Sequence, residues 1–316
     1  MFQEGFVGVS FFFILSGFII SYSYKHKIEG HSVSKRTFWV GRIARIYPLH
    51  VFTLLVAIFL HREMWQNGVS WLGHFIPNLF LLQAFIPKSG YYYSFNSPSW
   101  SLCCEMLFYG LFPFLVKWFR SAWWLVGTIA MFALAIVFGM GFTPDDQTVV
   151  NTIWYVNPLV RLVDFFLGML LYEVYGKWKH VGWGKLKATV CECLAVGLFL
   201  LFYLLSDSFS IVYRASVYYW LPVSAVILVF SFQRGYLSGW LSGRVLVYLG
   251  EISFGVYLFH YLVLRSFFRI MAKTGWELNA AASFALVLAV TLLLSALSFR
   301  YFEKPVNRRL KRLLGA

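Results

Sequence analysis

The chain is poor in charge. Of its 316 residues only 13% are Asp, Glu, Lys or Arg, against 60% hydrophobic and 21% aromatic, and the mean hydropathy is +0.69. A soluble domain needs about 25% charged residues to cover its surface, so that class is excluded. Acidic residues are the scarcer half, 13 against 27 basic, for a formal net charge of +14. In a soluble protein that excess would suggest nucleic acid. In a membrane protein basic residues gather in cytoplasmic loops, so here the excess marks topology and a candidate anion site, and no nucleic-acid partner is expected. Cysteine is also scarce: Cys103, Cys104, Cys191 and Cys193 all fall in apolar runs, none with a His at metal spacing. Buried free thiols are expected, without a disulfide framework. His50 and His61, eleven apart near one helix face, are too weak a pair to argue a metal, so none is expected. There is no internal repeat, low-complexity linker or cleavable signal pattern, which leaves one membrane-embedded domain over residues 1–316.

What the chain has instead is apolar spans. They read as 6–24, 45–61, 100–119, 123–141, 153–174, 189–206, 214–231, 245–270 and 279–302. The stretch 71–86 is apolar but short, carries His74, Pro77, Asn78 and Gln83, and stops at Pro87. If it crossed, the acidic loop with Asp145 and Asp146 would be cytoplasmic and the loop with Lys177, Lys179, Lys185 and Lys187 would lie outside. If it dips in and returns, the basic loops share one side: Lys25 to Arg45, Lys117 with Arg120, the four lysines, Arg234 with Arg244, and the tail Lys304, Arg308, Arg309, Lys311 and Arg312. The expectation is an all-α polytopic transmembrane bundle of about nine spanning helices plus one re-entrant or interfacial segment. Its first residues are outside and its C-terminus is cytoplasmic.

Glu105 stands within two turns of the start of an apolar helix that follows the Pro98 loop. A carboxylate in a span costs about 2.5–3.5 kcal/mol on insertion scales unless it faces protein, water or a partner. A polar recess walled by Trp100 and Ser101 is one way to compensate it; a helix-start carboxylate favoured by the dipole, with an interfacial Trp, is the other. Arg161 and Asp164, spaced i, i+3 in an apolar run, form either a mutually neutralising structural pair or a substrate contact. Glu192 is another costly carboxylate, for which snorkelling to the cytoplasmic interface is the simpler reading. Ser16-Gly17 permits close backbone approach in a helix crowded with phenylalanine, with packing the first reading and pocket lining the second.

Five stretches, in order, resemble the acyltransferase-3 family of integral-membrane acyltransferases: GVSFFFILSGF from Gly8 to Phe18, RIARIYP from Arg42 to Pro48, Trp100-Ser101-Leu102 followed by Glu105, SFGVYLFH from Ser253 to His260, and YFEKP from Tyr301 to Pro305. Each is weak alone; together they span almost the whole chain. The resemblance implies transfer of an acyl group, often acetyl, from a cytoplasmic acyl-coenzyme A to a hydroxyl of a surface-polysaccharide sugar, in a bacterial inner membrane and without a metal. It further implies a preceding first helix bearing an Arg and the catalytic His. This sequence begins after that point, so it is expected to be a shortened member, and a catalytically silent one is an alternative. A transporter of a glycan or small anion would call for paired broken helices in repeats, which are not seen.

Acyl transfer to a hydroxyl requires a base, a site for a polyanionic donor and donors for an oxyanion. Arg42 and Arg45, three apart on one helix face, suit paired phosphates of the acyl-coenzyme A, against the plainer reading of positive-inside anchoring. Glu105 and the family-matched His260 are the candidate catalytic groups, Glu105 chiefly as a polar organiser. Ser16, Gly17, Trp100, Ser101, Arg161 and Asp164 are the candidate pocket.

Overall fold

A computed structural model describes residues 4–60, 71–119, 121–275 and 278–314. It is 84% helical, and no strand occurs among the described residues. The principal helices are α1 Val7–Glu29, α2 Lys35–Leu60, α3 Trp71–Leu79, α4 Trp100–Trp118, α5 Ala122–Met140, α6 Pro158–Trp178, α7 Lys185–Leu204, α8 Trp220–Ser231, α9 Tyr236–Leu241, α10 Arg244–Thr274, α11 Ala280–Ser298 and α12 Lys304–Leu314. Every expected span finds a helix, and among the described residues seven helical stretches, against about nine expected, are long and apolar enough to cross a membrane. Together they make the all-α polytopic bundle that the composition requires.

The differences from expectation lie at the ends. The basic stretch read as a loop from Lys25 to Arg45 is mostly helix: α1 runs to Glu29, its end is closed by the Gly30 N–H donating to the His26 carbonyl and the His31 N–H to that of Ile28, and α2 starts at Lys35. Lys and Arg are good helix formers whose long stems keep their charges in the headgroup layer. The span expected at 214–231 is interrupted: a short helix ends at Arg214, a turn occupies Val217–Tyr219, and α8 has only 12 residues. Arg120 and His61 lie outside the described residues.

The 71–86 stretch does not cross. Helix α3 has 9 residues, about 14 Å at 1.5 Å per residue, less than half of a ~30 Å hydrocarbon core. Leu81 then turns the chain with φ 54°. The carbonyls at the end of α3 are satisfied from α2: His50 Nε2 donates to the Asn78 carbonyl at 2.8 Å and the Tyr47 hydroxyl to that of Leu79 at 2.6 Å. Non-helical backbone at membrane depth needs such internal partners.

The chain divides into two compact units, Met1–Ser34 with Cys104–Gly243, and Lys35–Cys103 with Arg244–Ala316. In the first, α1 lies against α6. Gly17 meets the Phe165 carbonyl and Gly168 meets the Ile14 carbonyl so closely that a Cβ at either position has no room. Small residues permit this approach, and van der Waals packing then holds the helices. Ile14 and Phe18 continue the contact onto Leu171, Val223 and Ile227. One end of this unit carries Glu4, Asp145 and Asp207 around a shared cavity. At the other end Lys25 pairs with Glu173, and Arg234 donates to the carbonyls of Lys179 and Val181. The acidic loop and the lysine loop therefore lie at opposite ends of the helices, as the charge rule requires.

In the second unit α10 packs along α11, and α12 folds back along α2. A π-helical turn, Phe299–Glu303, joins α11 to α12; such turns widen a helix by one residue and often occur at functional sites.

Candidate functional site

Glu105 sits on the second turn of α4, is 2% exposed and points into protein. The Ser16 hydroxyl of α1 donates to Glu105 Oε1 at 3.0 Å and the Tyr109 hydroxyl donates to the same oxygen at 2.8 Å, with Ser16 and Tyr109 3.2 Å apart. A closed triangle of this kind offsets the cost of a buried carboxylate by charge-assisted hydrogen bonds. Gly17 supports it indirectly, since its contact with α6 fixes the neighbouring Ser16. Tyr109 escaped the sequence reading, although its i+4 spacing from Glu105 places both on one face.

Nearer the start of α1, Ser10 meets Arg161. The Arg161 guanidinium is fully enclosed, and each nitrogen is engaged: Nε donates to the Tyr155 carbonyl at 2.7 Å, one terminal nitrogen to Ser10 Oγ and Asp164 Oδ2, both at 3.0 Å, and the other to the Ala215 carbonyl at 2.6 Å. Its plane lies 4.9 Å from the Tyr155 ring centroid. Asp164 also accepts from the Trp220 indole N–H. The pair neutralises itself inside the protein, since Arg161 and Asp164 meet at 3.0 Å and each guanidinium nitrogen already has a partner. Ser10, Ala215 and Trp220 are far from Arg161 in sequence, and no local spacing could have named them.

Glu192 departs from the snorkelling expectation. It is buried, and its carboxylate accepts from the backbone N–H groups of Gly235, Leu237 and Ser238 at 3.1, 3.0 and 3.4 Å. The open N–H groups at the start of α9 draw the charge inward. A side chain at Gly235 would collide with it.

In the second unit Trp100 and Ser101 are buried at the start of α4. The Tyr257 hydroxyl reaches both Ser101 Oγ at 2.8 Å and the Pro98 carbonyl at 3.0 Å. The Gln83 amide donates to the Ser99 carbonyl and hydroxyl at 3.1 and 3.2 Å, and Asn96 donates to the Leu258 carbonyl at 3.1 Å. The short apolar segment, the Pro98 loop and the SFGVYLFH stretch thus form one polar cluster. One turn after Tyr257, His260 is exposed and donates from Nδ1 to the Tyr257 carbonyl at 2.6 Å. That bond selects the tautomer whose Nε2 lone pair faces outward.

Arg42 and Arg45 lie one turn apart on α2. Arg45 is exposed and opens onto a cavity of about 380 Å³ lined also by Glu251, Phe254, Phe299, Glu303, Lys304, Asn307 and Arg308. Lys304 pairs with Glu251 at 3.6 Å, and the Ser298 hydroxyl donates to Glu303 at 3.1 Å. The YFEKP stretch and the RIARIYP stretch therefore meet at one site. The four cysteines are free, and no group of three His, Cys, Asp or Glu side chains able to hold a metal occurs among the described residues.

Among known proteins, the chain is 32% identical to the acyltransferase MdmB of Streptomyces mycarofaciens, over 98% of this chain and 82% of that one. It is 26% identical to the peptidoglycan O-acetyltransferase OatA of Listeria monocytogenes, over 97% and 52%, and 28% identical to the exopolysaccharide production protein ExoZ of Rhizobium meliloti, over 98% and 91%. It spans about half the length of the peptidoglycan O-acetyltransferase. No solved structure matches it. A family model described as an acyltransferase domain matches residues 4–300, nearly the whole chain and four of the five ordered stretches, with YFEKP directly after it: this chain belongs to the acyltransferase-3 family of membrane proteins.

Proposed function

We propose that this chain is an O-acyltransferase of a bacterial inner membrane that takes an acyl group, acetyl first of all, from a cytoplasmic acyl-coenzyme A and passes it to a hydroxyl of a cell-surface or exopolysaccharide sugar. The observation that carries the reading is Glu105, an acidic side chain kept inside a span of an acyltransferase-family chain by two hydroxyl donors. The names of the relatives support an acetyl donor and a glycan acceptor. By the charge rule the end of the first unit bearing Lys25, Lys179 and Arg234 is cytoplasmic, and the same rule, applied to the basic helix α12 by itself, makes the C-terminus cytoplasmic.

In the reaction the sugar hydroxyl oxygen attacks the thioester carbonyl while a base removes its proton. The tetrahedral oxyanion then collapses, expels the thiolate, which takes up a proton, and leaves the sugar ester and free coenzyme A. Arg42 and Arg45 hold donor phosphates through paired N–H groups. Glu105 positions Ser16 and Tyr109, whose hydroxyls are the polar groups of the interior. Arg161 and Asp164 lock α1, α6 and α8 around it, with Gly17 fixing α1 against α6; Trp100 and Ser101 are the pocket candidates of the second unit. His260, with Nε2 free of its own helix, is the candidate base on this chain. The whole operates as one membrane-embedded domain, with lipid, acyl-coenzyme A and the glycan as its partners.

The test is transfer of radiolabelled acetyl from acetyl-coenzyme A into polysaccharide by membranes containing the chain. Activity should fall at least ten-fold in Arg45→Ala and in Glu105→Ala; unchanged transfer in both removes the site assignment.

A further inference from the structure

The cavity beside Arg45 holds more chemistry than the paired arginines predict. Its far wall is the π-helical turn and the first turns of α12, which bring Lys304, Asn307 and Arg308 to face Arg45 from more than two hundred residues away in sequence. Basic residues that merely anchor a span need only reach the headgroups separately. Here cations and a carboxamide from two helices line one concave space, with Phe254 and Phe299 as its apolar sides. Lys304 Nζ lies 4.2 Å from the Phe299 ring centroid, which holds the ammonium at the cavity's edge. The volume, about 380 Å³, lies at the small end of the range for ligand pockets, roughly 300–1,000 Å³.

Two carboxylates share the lining, and Glu251 is already paired with Lys304. Both partners are about half exposed, so the contact is weak and exchangeable. An entering phosphate can take Lys304 from Glu251, because a doubly charged group with several acceptor oxygens outcompetes a single exposed carboxylate for the same ammonium. Glu251 then becomes a like charge beside the ligand.

We infer that Lys304, Asn307 and Arg308 complete, with Arg45, a phosphate-binding subsite for the coenzyme A donor, and that Glu251 occupies Lys304 when the subsite is empty. This rests on the donor reading above and extends it to the C-terminal helix, whose YFEKP stretch otherwise has no part in the reaction.

The experiment is equilibrium binding of radiolabelled coenzyme A to the purified chain in lipid nanodiscs, at low salt, for the unaltered chain, Lys304→Ala/Arg308→Ala and Glu251→Gln. The double substitution should weaken binding about ten-fold, and Glu251→Gln should tighten it about three-fold by removing the competing charge. Tightening is a result that structural damage does not produce. The 3′-dephospho form of coenzyme A, lacking one phosphate, should lose part of the difference between the unaltered and double-substituted chains. Nanodiscs of zwitterionic and of anionic lipid distinguish a headgroup site: binding equal in the two lipids supports the donor subsite, whereas anionic lipid abolishing coenzyme A binding reassigns the cavity to headgroups and overturns the proposal. Coenzyme A binding that the double substitution leaves unchanged overturns the subsite alone. No binding by the unaltered chain overturns the donor reading together with it.

Discussion

The interior of the first unit and the basic cavity of the second carry similar residues to opposite ends. Around Arg161 each guanidinium nitrogen meets an acceptor within the protein, at zero exposure. Around Arg45 the cations are exposed, and the contact linking Lys304 to Glu251 is a loose 3.6 Å. A buried ion pair is held in place because separating it leaves a charge without solvent, whereas exposed pairs contribute little to stability and exchange partners readily. One arrangement gives shape and the other gives binding.

The largest effect should come from breaking the closed network. Arg161→Ala leaves Asp164 charged and enclosed, a loss of about 3–5 kcal/mol, and detergent-solubilised protein should show a sharply lowered melting temperature or fail to accumulate. Arg161→Met combined with Asp164→Leu removes both charges and should recover much of that stability, which a purely ligand-binding role for the pair would not produce. Next is Gly168→Val, which forces a side chain into the Ile14 backbone on α1; overpacking of this kind costs about 1–3 kcal/mol and should lower melting without altering salt dependence. Glu105→Gln keeps an acceptor for Ser16 and Tyr109, so melting should shift little while acetyl transfer drops, sharpening the distinction between its fold role and its chemical one. Smallest in stability is Arg45→Ala: melting should be unchanged, with the loss confined to a raised KM for the donor. Raising ionic strength should weaken donor binding in the unaltered chain, since exposed charges are screened within about 8 Å at physiological salt, and should leave its melting temperature where it was.

The two regions also differ in how far they could be read from sequence. The cost of a carboxylate in a span made an inward Glu105 one of two readings, beside a helix-start carboxylate at the interface, and Tyr109 was within reach as its i+4 neighbour. The re-entrant segment was legible because a second crossing would have put basic and acidic loops on the wrong sides; α3 is accordingly too short to span. The partners of Arg161 were not legible, since Ser10, Ala215 and Trp220 reach it only through tertiary packing. Glu192 misled for a related reason: the N–H groups that draw it inward belong to a short helix more than forty residues later, and local sequence offers only snorkelling. The break before α8 was hidden by hydropathy, which does not register that the residues around Ser216 leave helical geometry (φ −143°, ψ −83°). Arg45 and YFEKP were each recognised as motifs, but their convergence required the path of α12 along α2.

Transfer of labelled acetyl from acetyl-coenzyme A into polysaccharide, measured side by side for the unaltered chain, Arg45→Ala and Glu105→Gln at matched protein levels, separates donor binding from the chemical step. The unaltered chain should transfer acetyl, Arg45→Ala should show a defect that excess acetyl-coenzyme A relieves, and Glu105→Gln a defect that it does not. Full activity in both variants would contradict both assignments.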